Sequence, residues 1–248
     1  MTPEPVERRV LGAIRFLDAV TLTKVSEGLR VQSAQADLRR NRSGLWVIWA
    51  AAGLDAHTVA FERPPTLPAV ETVPISLTVT DNATRFLARS ATVKLPRDPD
   101  PANAEQPSSL FQPADVRLYP GPTAPVSPGW AVIRARVENA NTGVALAGAL
   151  IRVLRTPDDK VLARGMSDDR GEALVVVPGI PITTFSSGDG AVLATEVTVT
   201  VRASFDPAAG GAPDPDAMEQ RADLPSSSSS QKLAAGRTLV AKLAVTVP

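Results

Sequence analysis

The side chains that could do acid–base chemistry in this 248-residue chain are few, and His57 is its single histidine. A hydrolase built on His57 would need a nucleophile and an acid to orient the imidazole, and the G-x-S-x-G elbow of serine hydrolases does not occur. Cysteine is also absent. Disulfide scaffolds, thiolate zinc sites and sites with two histidines are therefore excluded. We expect His57 to be a solvated loop residue and the protein not to be an enzyme.

Four pairs of carboxylates are the next candidates for chemistry, because paired carboxylates can bind calcium or share a proton. They are Asp98/Asp100, Asp158/Asp159, Asp168/Asp169 and Asp214/Asp216. Two of the pairs read Asp-Pro-Asp, and Asp168/Asp169 are followed by Gly171, which is typical of turns. We expect these carboxylates to cap turns, and we expect no metal or cofactor.

Arg39, Arg40 and Arg42 form the one basic run of the chain. Lys+Arg and Asp+Glu both number 26, so there is no net charge to attract nucleic acid or a membrane surface. Aromatic residues make up only 4% of the chain, too few for a base-stacking surface. We expect the three arginines to be a solvated tip or a rim that contacts an acidic protein partner.

The elements that must position these residues are predicted to be strands. The chain contains 23 prolines and 16 glycines, which leave short apolar runs between turns. Apolar and polar residues alternate over Thr72 to Thr80 and again over Val192 to Val201, as expected for half-buried strands. Residues 10–16 fit a strand or a helical stripe, and we favour the strand. The longest apolar stretch, Leu45 to Leu54, is too short to span a membrane.

Composition divides the chain into two domains. Eight prolines fall between Arg97 and Gly129, which favours an extended linker at 97–115, although residues 115–119 could form a short edge strand. We predict an N-terminal β-sandwich at 1–96 and a C-terminal one at 116–248. Residues 206–230, which end in five serines, are predicted to be a disordered loop before a last strand at 239–247.

The two halves of the chain resemble each other at an offset of 121 residues. Ala13 to Thr21 aligns with Arg134 to Thr142, and Gly44 aligns with Gly171 after a drift of six residues. Each half then reads strand, turn, strand, Asx-rich turn with glycine, strand. This order predicts a tandem pair of similar immunoglobulin-like or transthyretin-like sandwiches.

Residues 130–180 also resemble a known family. The pattern consists of Ile133-Arg-Ala-Arg-Val137, Thr142-Gly143, Leu146-Ala-Gly-Ala149, Ser167-Asp-Asp-Arg-Gly171 and Val175-Val-Val-Pro-Gly179. It resembles the carboxypeptidase regulatory-like, transthyretin-like domain, with a weaker echo at residues 10–50. The resemblance implies a β-sandwich of about seven strands and, in most members, a non-catalytic accessory or structural role. The family also includes a hydroxyisourate hydrolase, whose site resembles a cluster containing two histidines. Because this chain has a single histidine, the resemblance does not extend to that enzyme.

A second resemblance concerns Asp81-Asn-Ala-Thr-Arg-Phe-Leu-Ala, Lys94-Leu-Pro-Arg-Asp-Pro, Ser109-Leu-Phe-Gln-Pro and Val116-Arg-Leu-Tyr-Pro. These segments look like small two-domain proteins of phage-tail-like contractile injection systems. The implied function is a non-enzymatic structural or adaptor subunit, assembled in the cytoplasm, with sheath, tube or baseplate proteins as partners and no small-molecule substrate. The alternative is an adhesin or carbohydrate-binding module, and a hydrolase is a third possibility.

Two apolar pairs in the proline-rich stretch are the candidate protein contacts: Leu110 with Phe111, and Leu118 with Tyr119. An extended segment can lie along a neighbouring protein or add to its sheet. The alternative is that these four residues pack on their own second domain. Trp46 and Trp49 should face opposite sides of one strand, so one should be core and the other exposed or at an interface.

Overall fold

A computed structural model describes residues 9–60, 64–181, 184–185, 192–193 and 196–247. The strands are Gly12–Asp18 (β1), Leu29–Gln32 (β2), Ala36–Arg40 (β3), Trp46–Ala51 (β4), Val73–Asp81 (β5), Arg89–Leu95 (β6), Ala114–Leu118 (β7), Ala131–Asn139 (β8), Leu150–Arg155 (β9), Lys160–Met166 (β10), Glu172–Val177 (β11), Thr184–Phe185 (β12), Val192–Leu193 (β13), Val197–Ser204 (β14), Ser226–Leu233 (β15) and Thr238–Val245 (β16). Two short α-helices, Asp55–Val59 (α1) and Pro215–Glu219 (α2), and a 3-10 turn at Pro101–Asn103 complete the described elements. None of the helices in the described ranges is long and apolar enough to cross a bilayer.

The chain divides into two compact units. Unit 1 contains residues 1–18, 22–82 and 88–117, and unit 2 contains residues 19–21, 83–87 and 118–248. The sheets of unit 1 have the strand orders β3-β4-β1-β7 and β2-β5-β6, and the main sheets of unit 2 have the orders β10-β9-β14-β15 and β11-β8-β16. Each unit is thus a β-sandwich with a four-stranded and a three-stranded sheet. The all-β prediction of two tandem sandwiches is confirmed.

The core of unit 1 comes from strict alternation along its strands. In β5, Ile75, Leu77 and Val79 are buried while the residues between them are exposed or partly exposed. In β1, Ile14 and Phe16 are fully buried, which confirms the strand over the helix at this position. Because side chains of a strand alternate between its faces, one face of each sheet supplies the core and the other faces solvent.

The core of unit 2 has an additional layer. Ile133, Val175 and Val201, from both sheets, lie in one buried cluster. Val132 and Val176, which point to the opposite face, are covered by partly buried residues that include Trp130 and Val126. Residues 131–133 of β8 and residues 173–177 of β11 are therefore buried on both faces, and these two stretches are continuous apolar runs.

The two units share one plan of hydrogen-bonded strands. β1 pairs antiparallel with β4, and β8 pairs antiparallel with β11. The last strand of each unit, β7 in unit 1 and β16 in unit 2, lies beside β1 or β8. The third strand differs, since β3 pairs with β4 whereas β10 pairs with β9 in the opposite sheet. The repeat seen in the sequence therefore reflects two copies of one topology with one strand moved between sheets.

The equivalent turns before β4 and β11 are built from the same parts. The side-chain oxygens of Asn41 and Asp168 each accept from the backbone N–H four residues later, at 2.9 Å. Gly44 and Gly171 follow in the left-handed conformation, with φ of +75° and +73°. An Asx cap followed by a left-handed glycine turns the chain back, as the aligned sequences predict.

The predicted linker at 97–115 is wrong, because these residues belong to unit 1 and the division falls after Arg117. The segment is folded by its own polar groups: the amide of Leu110 donates to the carbonyl of Asp98 at 2.7 Å, and Pro101–Asn103 forms a 3-10 turn. The proline-free stretch Ala114–Leu118 is an edge strand of the four-stranded sheet, as the sequence allowed.

The predicted disordered loop at 206–230 is also wrong. The five serines, Ser226 to Ser230, are the first residues of β15 and pair in unbroken register with β14. Upstream, Met218 and Leu224 are buried against Leu150 of β9. The burial of Met218 and Leu224 holds the segment on the sheet and brings the serines beside β14. The largely polar composition of the segment did not indicate that these two apolar residues would be buried.

Candidate functional site

The structure separates the four predicted apolar contacts into a buried pair and an accessible pair. Leu118 and Tyr119 are 0% and 1% exposed, so their assignment as exposed anchors is wrong. The carbonyl of Tyr119 accepts from the amide of Leu87 at 2.9 Å, and Phe86 forms a bridge to Pro120. Tyr119 thus pairs with the 86–87 segment, which belongs to the same unit 2, as the alternative of packing on the second domain predicted.

Leu110 and Phe111 remain available. Phe111 is 56% exposed, and Leu110 is partly buried and lines a pocket in unit 1. A bare phenyl ring in contact with water is unfavourable, by about 25 cal/mol for each Å² of apolar surface. Exposed apolar residues that cluster together mark interaction sites in soluble proteins.

The pocket beside Leu110 has apolar walls and a basic lining. The walls include four prolines, and Val70 at the rim is 43% exposed. Two further exposed apolar side chains, Val59 and Leu67, lie close in sequence to lining residues. The basic members of the lining are Arg9, His57 and Arg97. We call this set of residues with Phe111 the unit 1 contact surface.

Arg97 ties the 97–115 segment to the sandwich. Its guanidinium donates to the carbonyls of Pro107 and Gln112 and to the Glu71 carboxylate, the last at 3.2 Å from Nη1. Burial lowers the pKa of Arg97, and the Glu71 charge opposes this shift. The side chain is 6% exposed against 39% for that of Glu71, so the cation is more deeply buried than its counter-charge.

His57 is not the solvated residue that the sequence predicted. It lies in α1, is 5% exposed, and neither ring nitrogen has a hydrogen-bond partner among the described residues. The helix forms because Leu54, which is fully buried, anchors its start and accepts the His57 amide at 3.0 Å. The imidazole is therefore held toward the pocket, although no described acid orients it as a catalytic base.

The basic run lies at an exposed sheet edge. Arg39 and Arg40 are exposed residues of the edge strand β3, and Arg42 is exposed in the turn before β4. Their place as a charged rim stays a prediction. On β4, Trp49 is 38% exposed, as predicted for one of the two tryptophans, whereas Trp46 is only partly buried and is not the core residue that the spacing predicted.

The carboxylate pairs examined above work mainly as caps. Asp98 and Asp100 accept backbone amides two residues ahead, each at 2.9 Å, and Asp214 caps α2. Asp158 instead pairs with Arg155 across the β9–β10 turn. Within the described residues, no group of three or more His, Asp or Glu side chains has the arrangement of a metal site.

Sequence reasoning missed Arg9 and Arg97 as members of one site. They are separated by almost ninety residues, and no motif contains both of them. The one available signal was a lone arginine at the start of a proline-rich segment, which is too common to indicate a pocket.

Comparison with known proteins does not identify a family for this chain. Neither a protein-family model nor a curated protein sequence matches this chain. Among solved structures, the Bacillus anthracis TIE protein is 9% identical over 96% of this chain, with a TM-score of 0.30, and this chain spans 34% of its length. The shaft pilin SpaA from Lactobacillus rhamnosus GG is 10% identical over 97% of this chain and 98% of its own, with a TM-score of 0.29. BcpA, the major pilin subunit of Bacillus cereus, is 9% identical over 97% of this chain and 60% of its own, with a TM-score of 0.27. TM-scores this low carry no argument about this chain.

Proposed function

We propose that this protein is a non-enzymatic structural or adaptor subunit that acts through protein–protein contacts. The observation that carries the proposal is the unit 1 contact surface, where Phe111 is 56% exposed and follows directly in sequence on Leu110, which lines a pocket together with the 43% exposed Val70. Aromatic side chains at the centre of an interface supply much of its binding energy. A protein partner that covers Phe111 would remove this apolar surface from water.

The finer part of the proposal is that the assembly is phage-tail-like and contractile, with sheath, tube or baseplate proteins as partners. It rests on the sequence resemblance stated above. Assembly in the cytoplasm belongs to the same proposal. The identity of the proteins bound to this chain is what distinguishes a contractile assembly from any other.

Affinity purification of the chain from its native host tests the proposal. We expect defined partner proteins to co-purify with the wild type and to be lost with Phe111→Ala. Val144→Ala is the matched control, since Val144 is 62% exposed in unit 2 and lies outside the surface. Circular dichroism should show that both variants fold. Recovery of the wild type only as a free monomer, from cells that express its neighbouring genes, would contradict the proposal.

The second candidate is an adhesin or carbohydrate-binding module. Trp49 favours it, because a half-exposed indole on a sheet face can stack on a sugar ring. Trp130 does not, since it packs against the buried Val132 cluster. Glycan-array binding that Trp49→Ala abolishes and Phe111→Ala leaves unchanged would establish this function in place of the first.

A further inference from the structure

The pocket of the unit 1 contact surface contains more buried hydrogen-bond donors than the described residues satisfy. Nη1 of Arg9, Nε of Arg97 and both ring nitrogens of His57 are buried, and none has a hydrogen-bond partner in the described part of the chain. All three residues line the same pocket. A buried donor without an acceptor costs free energy, and the cost is larger when the donor is charged.

The charges at the pocket do not cancel. Arg9 and Arg97 carry two positive charges, and Glu71 is the one carboxylate that pairs with either of them in the described ranges. Glu71 engages Nη1 of Arg97 and leaves its Nε free. Burial lowers the pKa of Arg97, as expected where a guanidinium is imperfectly compensated. A further negative charge is therefore favoured here.

The size of the pocket limits what can bring that charge. Its volume is about 40 Å³, whereas sites for drug-sized ligands measure about 300–1,000 Å³. One water needs roughly 10–15 Å³ on this scale, so the space matches a group of two to four heavy atoms. The four prolines of the lining give such a group apolar walls.

We propose that Arg9, His57 and Arg97 form a binding site for a carboxylate group. Two carboxylate oxygens have enough lone pairs to accept from Nη1 of Arg9, Nε of Arg97 and one ring N–H of His57. Two sources share this chemistry: a free small carboxylate, and an acidic side chain of a second copy of this chain that contacts the surrounding apolar rim. The site does not depend on the proposed function, since a free carboxylate would occupy it in an isolated protein.

Thermal unfolding of the full chain in sodium acetate, against sodium chloride at equal ionic strength, tests the site. We expect acetate to raise the Tm of the wild type, by about 4 °C at ten times its Kd. The rise should be lost in Arg9→Gln, and the described hydrogen bond of Arg9, from its backbone amide to the carbonyl of Thr58, does not involve the substituted side chain. Arg39→Gln removes the same charge from an exposed strand and should retain the rise.

Sedimentation velocity separates the two sources. If another copy of this chain supplies the carboxylate, the wild type should self-associate, acetate should dissociate it and Arg9→Gln should be monomeric. A monomer with an acetate-dependent Tm identifies a free carboxylate as the ligand. The proposal is overturned if acetate has no effect on wild-type Tm or association, or if its effect is equal in Arg9→Gln.

Discussion

The backbone of Gly171 passes so close to Val137 that a side chain has no room between them. The amide of Val137 donates to the carbonyl of Gly171 at 2.8 Å. A Cβ built on Gly171 would lie 2.4 Å from the carbonyl oxygen of Val137. Gly171 also has φ of +73°, so both its conformation and its surroundings require glycine.

Gly171→Ala should therefore destabilise unit 2 by about 2–5 kcal/mol, since a left-handed alanine and a clash with backbone add together. Gly143→Ala is the matched control. Gly143 has φ of +69°, but nothing lies within 4 Å of its added Cβ, so its loss should be only about 1–2 kcal/mol. Chemical denaturation followed by circular dichroism measures both, and equal losses would contradict the close approach.

The serine strand makes a second prediction. Ser226 to Ser230 pair with Ser204 to Thr200 of β14, and β15 is the outer strand of its sheet. In an antiparallel pair, alternate amides point toward the partner strand. Hydrogen exchange followed by NMR should therefore show alternating slow and fast amides along this run. Uniformly fast exchange would contradict the paired strand and support the disordered loop that the composition predicts.

The strands β5 and β15 differ in how well their conformation can be predicted from the sequence. Strict alternation at Ile75, Leu77 and Val79 predicts a strand directly, because the pattern is local. The serine strand has no apolar periodicity, and its conformation depends on pairing with β14 and on the distant burial of Met218 and Leu224. A single sequence does not show such tertiary partners.

The same limit applies to the candidate site. Phe111 was identified from its type alone, as an apolar residue in a polar stretch, and the structure leaves it exposed. Tyr119 looked identical in sequence, yet pairing with the 86–87 segment buries it. His57 is buried because a neighbouring leucine anchors its helix. The exposure of each of these side chains depends on contacts with residues outside its own sequence motif.

The β9–β10 turn makes a prediction about pH. Nε of Arg155 donates to Oδ1 of Asp158 at 2.9 Å, and its Nη2 donates to Oδ2. The hydrogen bond from Arg155 lowers the pKa of Asp158 from 3.8 to about 2. Because the folded pKa lies below the unfolded one, this stabilisation is present above pH 3.8 and is lost as the pH falls toward 2.

NMR titration of the Asp158 carboxyl carbon should give the lowered pKa in the wild type and an ordinary one in Arg155→Gln. An ordinary value in both would show that the pair does not persist in solution.

Photo-crosslinking from position 111 tests the central claim, an assembly subunit with its contact at Phe111, most directly. Phe111 is replaced by p-benzoylphenylalanine, whose ring preserves the aromatic side chain, in the native host. Val144 receives the same substitution as the control, because it is similarly exposed in unit 2. We predict that irradiation joins position 111, but not position 144, to one defined protein. The account would be contradicted if position 111 gave no crosslinked protein, or the same unspecific products as position 144, while the partner genes were expressed.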